Sequence, residues 1–155
     1  LNCSRKEKDS VRHKLVMYAR QKRIDSNGRY WLNQIHDPIA SSTSDVCITD
    51  IRYDEYDHDE VYWLKEEIHG VLVHIERYDL LNNNKKFFEA PNEEERHNEP
   101  KLKAKASYQL QWPTFEGLQE EIDVQAGAYV DVFLAWLDGY NETIKGQPVS
   151  VEGQG

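Results

Sequence analysis

Asp50 and Arg52 are the two residues whose types and spacing point most directly to chemistry. They close the run Asp45-Val46-Cys47-Ile48-Thr49-Asp50-Ile51-Arg52, which reads as a short apolar strand ending in an acid. Parallel strands buried on both faces are β-branched runs, and in open α/β sheets ligands bind at their carboxyl ends. An Asp-x-Arg there places an acceptor beside a guanidinium able to grip a phosphate or carboxylate bidentately. Two readings stand side by side. In one, Asp50 orients a substrate group or a metal-bound water and Arg52 holds a phosphate. In the other, the pair is a structural ion pair at the end of a strand.

Further candidates lie upstream. Arg12, His13, Lys14, Arg20, Lys22 and Arg23 make one segment strongly basic, and most of these must be solvated cations. Arg12 stands one turn before Val16, near the apolar edge, and can point along the core toward a pocket. Arg29-Tyr30-Trp31 sets an arginine beside two aromatics, which suits a stacked base with its phosphate nearby; a plain core tryptophan is the commoner outcome. The histidines, including His58, His69 and His74, lack HExxH spacing or a cysteine pair, so no protein-bound metal is expected. His74 reads as a packed strand histidine. Cys47, inside the apolar run, should be inert. There is no GxSxG elbow, no GxGxxG and no GxxxxGK(S/T) in the sequence.

These residues need elements to hold them. Asp9-Ser10 can cap a helix from Val11 to about Ile24, stopped by Asp25-Ser26-Asn27-Gly28. Tyr30 to Ile35 suggests a second short helix ended by Pro38. After the strand Val46–Thr49, the stretch Tyr53 to Ile68 carries Val61, Leu64 and Ile68 at helical spacing. His69-Gly70 ends it, with glycine as the left-handed cap. Val71–Ile75 is a second strand with Glu76-Arg77 at its end, and strand, helix, turn, strand is the βαβ signature. Leu80 to Lys105 reads as the least structured part, and its Glu93-Glu94-Glu95 run as a solvated face. Ser107–Trp112 alternates like an edge strand, and a long apolar-periodic helix should follow from about Phe115 to Leu137, closed by Asp138-Gly139. The fold class is α/β, with a small, mostly parallel sheet flanked by helices. Residues 1–145 are expected to form one domain and residues 146–155 a flexible tail.

The chain has 155 residues, enough for a real core, and a formal net charge of -9. That acidity argues against a general binder of nucleic acid or anionic membrane, while leaving room for a small basic pocket. No apolar run approaches the roughly 20 residues that span a bilayer. The two cysteines, Cys3 and Cys47, make no disulfide framework, and a reduced cytoplasmic setting is the simpler reading. Asn2-Cys3-Ser4 and Asn141-Glu142-Thr143 match the glycosylation pattern only at the level of chance.

Three stretches together resemble phage-type deoxynucleoside monophosphate kinases. Val46-Cys47-Ile48-Thr49-Asp50-Ile51-Arg52-Tyr53, followed by Glu55, is similar to that family's "(V/I)-I-x-D-V-R-F-x-x-E" segment. Gly70 and Val71–Ile75 with Arg77 resemble the "G-G-x-(L/V)-(I/V)-x-(I/V)-x-R" continuation. Arg12 through Arg23 and Arg29-Tyr30-Trp31 resemble the preceding "R-x-x-(L/M)-Q-x-x-G-x-x-x-R … W" segment, and Asn98-Glu99-Pro100, the strand to Trp112 and the last helix resemble the closing part. Two departures stand out: Tyr18-Ala19-Arg20-Gln21 replaces the family's Gln-x-x-Gly, and the spacing from Asp50 to Glu55 is one residue short.

The resemblance implies a partial P-loop-kinase-like three-layer fold and transfer of the ATP γ-phosphoryl to a (deoxy)nucleoside monophosphate, with ATP and Mg²⁺ as cofactors. It implies that Arg12 and Arg52 hold the acceptor phosphate, Arg29 and Trp31 the acceptor site, and Asp50 the substrate or the hydrated Mg²⁺. Arg77 would lie near the donor side and bind the cofactor. The family's first strand and phosphate loop have no counterpart here, and the first residue is Leu rather than Met. The expectation, in order, is a C-terminal part of a longer kinase, inactive alone; a P-loop supplied by another chain; or a non-catalytic homologue. The expected partners are the nucleoside monophosphate and that P-loop segment, with no nucleic acid or membrane and with a homodimer left open. A different class remains beside it: an acidic α/β interaction or scaffold subunit in which Asp50 and Arg52 are structural.

Overall fold

In the computed structural model the described residues are 5–145, and the expected tail lies outside them. They divide into two compact units that meet in sequence at Trp112 and Pro113.

In the first unit, α1 spans Arg5–Asp25. It starts well before Val11, so Asp9 and Ser10 lie within the helix rather than capping it. It ends in a Schellman turn: Asn27 takes φ 48°, its N–H bonds the Ile24 carbonyl, and the Gly28 N–H bonds that of Arg23. Helix α2 follows at once, Arg29–Ala40, and buries Leu32. Pro38 sits inside it and does not end it. The last turn is closed instead by Ser41, whose N–H and hydroxyl both donate to the Asp37 carbonyl, at 3.0 and 2.7 Å.

The expected strand Val46–Thr49 does not form. Among the described residues no strand pairs with it, and a β-branched run without a ladder partner has no backbone reason to stay extended. Val46 is 48 % exposed, and Cys47 is an exposed free thiol rather than a buried one. Asp50 turns the chain at φ 72°, while Ile48 and Ile51 reach back to the core. The expected helix from Tyr53 shrinks to α3, Glu60–Tyr62, capped by Asp59 and continued by a wider π-helical turn, Trp63–Glu67. The left-handed residue that closes it is His69, at φ 53°, and not Gly70. Gly70 matters for space, because a side chain there would strike Leu64.

Strand β1, Val73–Leu81, is longer than expected and turns through Asn82 and Asn83 into β2, Asn84–Phe87. The two pair antiparallel from Tyr78↔Phe87 to Leu81↔Asn84. Both turn residues have positive φ, the requirement of the primed hairpin turn that follows strand twist. Helix α4, Glu93–Lys105, occupies part of the stretch expected to be least structured. Asn92 caps it by accepting from the Glu95 N–H, and its acidic first turn and basic last turn suit the helix dipole. Strand β3, Tyr108–Pro113, starts beside β1, where the Leu72 carbonyl accepts from Ser107 and Tyr108. The sheet is three-stranded and mixed, in the order β2-β1-β3, so the α/β class stands but the βαβ unit built on Val46–Thr49 does not. Leu32, Val61, Trp63, Leu64 and Leu72 form the core, and the Trp63 indole N–H donates to His36 Nδ1 at 2.9 Å.

The second unit is dominated by α5, Gln119–Lys145. It runs past Asp138-Gly139, where the Thr143 hydroxyl donates to the Gly139 carbonyl. Phe133, Trp136 and Tyr140 stack along it, and Phe115 meets Tyr129 edge-on. No helix among the described residues is long and apolar enough to cross a membrane.

Candidate functional site

Among the described residues, a buried charge cluster forms not at Asp50 but around Arg23, near the end of α1. Its side chain is buried with only 7 % of the residue exposed. One guanidinium nitrogen donates to Glu60 at 3.0 Å, the other to Asp59 at 2.8 Å and to Glu55 at 3.4 Å. The Tyr53 ring lies against its face at 3.8 Å. One cation among three carboxylates leaves surplus negative charge in a buried place, so the remaining lone pairs must find donors. They do. Glu60 Oε2 accepts the N–H groups of Arg52 and Tyr53, and Asp59 accepts those of Glu55 and Glu60. Fully buried Asn98 donates to Glu55 and accepts from the Asp54 N–H.

Burial works to lower the pKa of Arg23, but the bond and charge of Asp59, with Glu60 and Glu55, outweigh it and hold the guanidinium more firmly protonated than usual. Burial raises the Glu60 carboxyl above its ordinary range, against the N–H of Arg52 and the charge of Arg23. The network therefore ties three segments together: the end of α1, the 52–60 turn and α4. Gly28 completes it, since any side chain there would strike the Asp59 carboxylate.

Above this network opens a cleft of about 1110 Å³. Arg20, Arg23, Arg52 and Arg96 line it as cations, Glu55, Glu60, Glu93 and Glu94 as anions, and Trp31, Tyr53, Tyr56 and His97 as rings. Of the residues given a site role from sequence, Arg52 and Trp31 both line this cleft, beside Arg20 and Arg23 of the basic segment. Arg52 bonds Asp50 at 2.8 Å and Glu95 at 3.2 Å, and the Asp50 bond foremost raises its pKa. Trp31 sets its ring edge-on to Tyr30 at 4.8 Å. Asp50 is exposed beside Arg52 and is not part of the cleft wall. Arg12 is exposed on α1 and Arg77 on β1, where its guanidinium lies over Phe88 at 4.8 Å; neither lines the cleft. Arg29 is committed elsewhere, with two bonds to Glu67 at 2.7 and 2.8 Å that pull the Glu67 carboxyl below its ordinary pKa.

What the sequence reading missed is the layer beneath. Arg23 stood as one cation in a basic helix, and Asp59, Glu60 and Asn98 carried no mark of burial. The cap signal Asn92-x-x-Glu95 could have located α4.

The arrangement can hold an anion and a planar ring side by side. It does not fit a triphosphate with its magnesium ion. The sequence has no glycine-rich phosphate loop, the Asp50 carboxylate is taken up by Arg52, and no group of three or more His, Cys, Asp or Glu among the described residues is placed to hold a metal. Comparison with family models, with curated proteins and with solved structures finds no match to this chain.

Proposed function

We propose that the first unit is the acceptor side of a (deoxy)nucleoside monophosphate kinase. The observation that carries this reading is the convergence of Arg52 and Trp31, from separate segments resembling that family, on one arginine-lined cleft. In this reading the monophosphate lies between the Arg52 and Arg20 guanidiniums, and the base lies against Trp31. The buried Arg23 network is the platform, fixing the backbone of Arg52 through Glu60. Catalysis of this type is mostly positioning and charge neutralisation, which these residues could supply to the acceptor. In this reading the donor nucleotide would need a phosphate loop, which these residues do not supply.

Calorimetric titration with the four deoxynucleoside monophosphates tests the reading. At least one should bind, and Arg52→Ala should weaken it about tenfold or more while leaving the melting temperature nearly unchanged, because exposed ion pairs add roughly 0–1 kcal/mol. Equal affinity in the folded variant would remove Arg52 from the site.

A second reading draws on a specific observation. Arg29 and Asp50 are both engaged in internal ion pairs, as expected of a non-catalytic α/β interaction or scaffold module. Absence of any nucleotide binding would favour it.

A further inference from the structure

Two ion pairs join arginines of the cleft wall to α4. Arg20, on α1, meets Glu94 at 3.3 Å, and Arg52 meets Glu95 at 3.2 Å. Both acids belong to the first turn of α4. Their run, Glu93-Glu94-Glu95, looks from sequence like a solvated face. Yet Glu95 keeps only 20 % of its side chain exposed, and the Asn92 amide also donates to the oxygen that faces Arg52. Glu94 and Glu95 thus give carboxylates to two of the arginines that line the cleft, and Arg52 holds Asp50 as well.

We propose that Glu94 and Glu95 are an internal plug: a carboxylate pair that, together with Asp50 on Arg52, occupies Arg20 and Arg52 until an acceptor phosphate displaces it. This rests on the acceptor-cleft reading and adds its regulation. A carboxylate and a phosphate use the same fork geometry on a guanidinium, so the exchange is competitive and needs no new site. The Arg20 and Arg52 side chains are 60 % and 45 % exposed, so the pairs are held weakly enough to exchange. The plug makes apparent affinity the product of intrinsic affinity and the unplugged fraction.

The test is calorimetric titration of the full chain with deoxynucleoside monophosphates and, separately, inorganic phosphate. Wild type is compared with E94Q/E95Q and with E89Q, which removes an exposed charge outside the cleft lining. The plug predicts roughly fivefold to tenfold tighter binding in E94Q/E95Q and less than twofold in E89Q. Binding that appears only in E94Q/E95Q supports it as well. Wild-type binding that the double variant leaves unchanged or weakens, or that E89Q tightens as much, overturns the plug and leaves the acceptor reading standing. No binding by any variant overturns both. If E94Q/E95Q fails to fold, E94Q alone carries the same comparison.

Discussion

At the scale of single residues, the molecule shows where a charge is costly and where it is cheap. Arg23 is the costly one. Removing it leaves buried Asp59 and Glu60, with half-buried Glu55, without their cation. We predict that Arg23→Ala lowers stability by roughly 3–5 kcal/mol in chemical denaturation, the usual penalty for breaking a buried pair from one side. A loss below about 1 kcal/mol would mean that the carboxylates find water or protons easily. Glu60 has a pH signature. Its carboxyl pKa is higher in the fold than in the unfolded chain, so the fold holds its proton better. Its stabilising contribution is therefore complete below the unfolded value of 4.5 and is lost as pH rises through the higher folded value. Glu60→Gln should flatten that part of the stability–pH curve; an unchanged slope would contradict the assignment. His74 has the opposite sign. Its Nδ1 is buried without a hydrogen-bond partner, and burial lowers its pKa from 6.5, against Glu76 and Glu99 and helped by Lys103. Its contribution is complete above 6.5 and is lost as pH falls through the lower folded value. His74→Phe should reduce the acid-side loss of stability, read by thermal melts between pH 5 and 7.

At the scale of elements, the sequence was legible where packing follows a periodic apolar pattern or where a turn has its own chemistry. The middle of α1, the start of β1, most of β3 and the body of α5 follow such patterns, and Asp25-Ser26-Asn27-Gly28 marked a real turn. Val46–Thr49 failed for a physical reason. A β-branched run shows that a strand would be tolerated, but a ladder needs a partner that the run cannot name. Helix α4 failed in the other direction. Its buried contact is polar, through Asn98, and its surface is charged, so it has no apolar stripe to see. The candidate site divided along the same line: Arg52 and Trp31 were visible as residue types, whereas Arg23, Glu60 and Asn98 become a site only through burial. Two substitutions test the turn chemistry. Gly28→Ala combines φ 85° with a collision at Asp59, so it should cost well over ~1 kcal/mol and disturb the Arg23 network. Asn83→Gly relieves a left-handed side chain at φ 64° in the hairpin, so it should raise stability by about 0.5 kcal/mol. A neutral result at Gly28 would show that the turn can relax away from Asp59.

At the scale of the whole molecule, charge decides how an anion would arrive. The chain carries a net -9, which repels a nucleotide at long range. The cleft does not counter this with a positive field, because its four arginines are matched by four glutamates in the lining. An arginine-lined site that is electrostatically neutral can grip a phosphate at contact but cannot attract one from a distance. Ionic strength should therefore act opposite to its usual effect on anion capture. Between about 10 and 150 mM salt the screening length falls from roughly 30 to 8 Å, and the long-range repulsion fades. We predict that the association rate of a deoxynucleoside monophosphate, followed by stopped-flow fluorescence of Trp31 in the cleft, rises over that range. In E94Q/E95Q the cleft gains net positive charge, and the rise should shrink or reverse. A wild-type rate that falls with salt would mean that the arginines dominate the field, and that Glu93 and Glu94 do not offset them as the geometry requires.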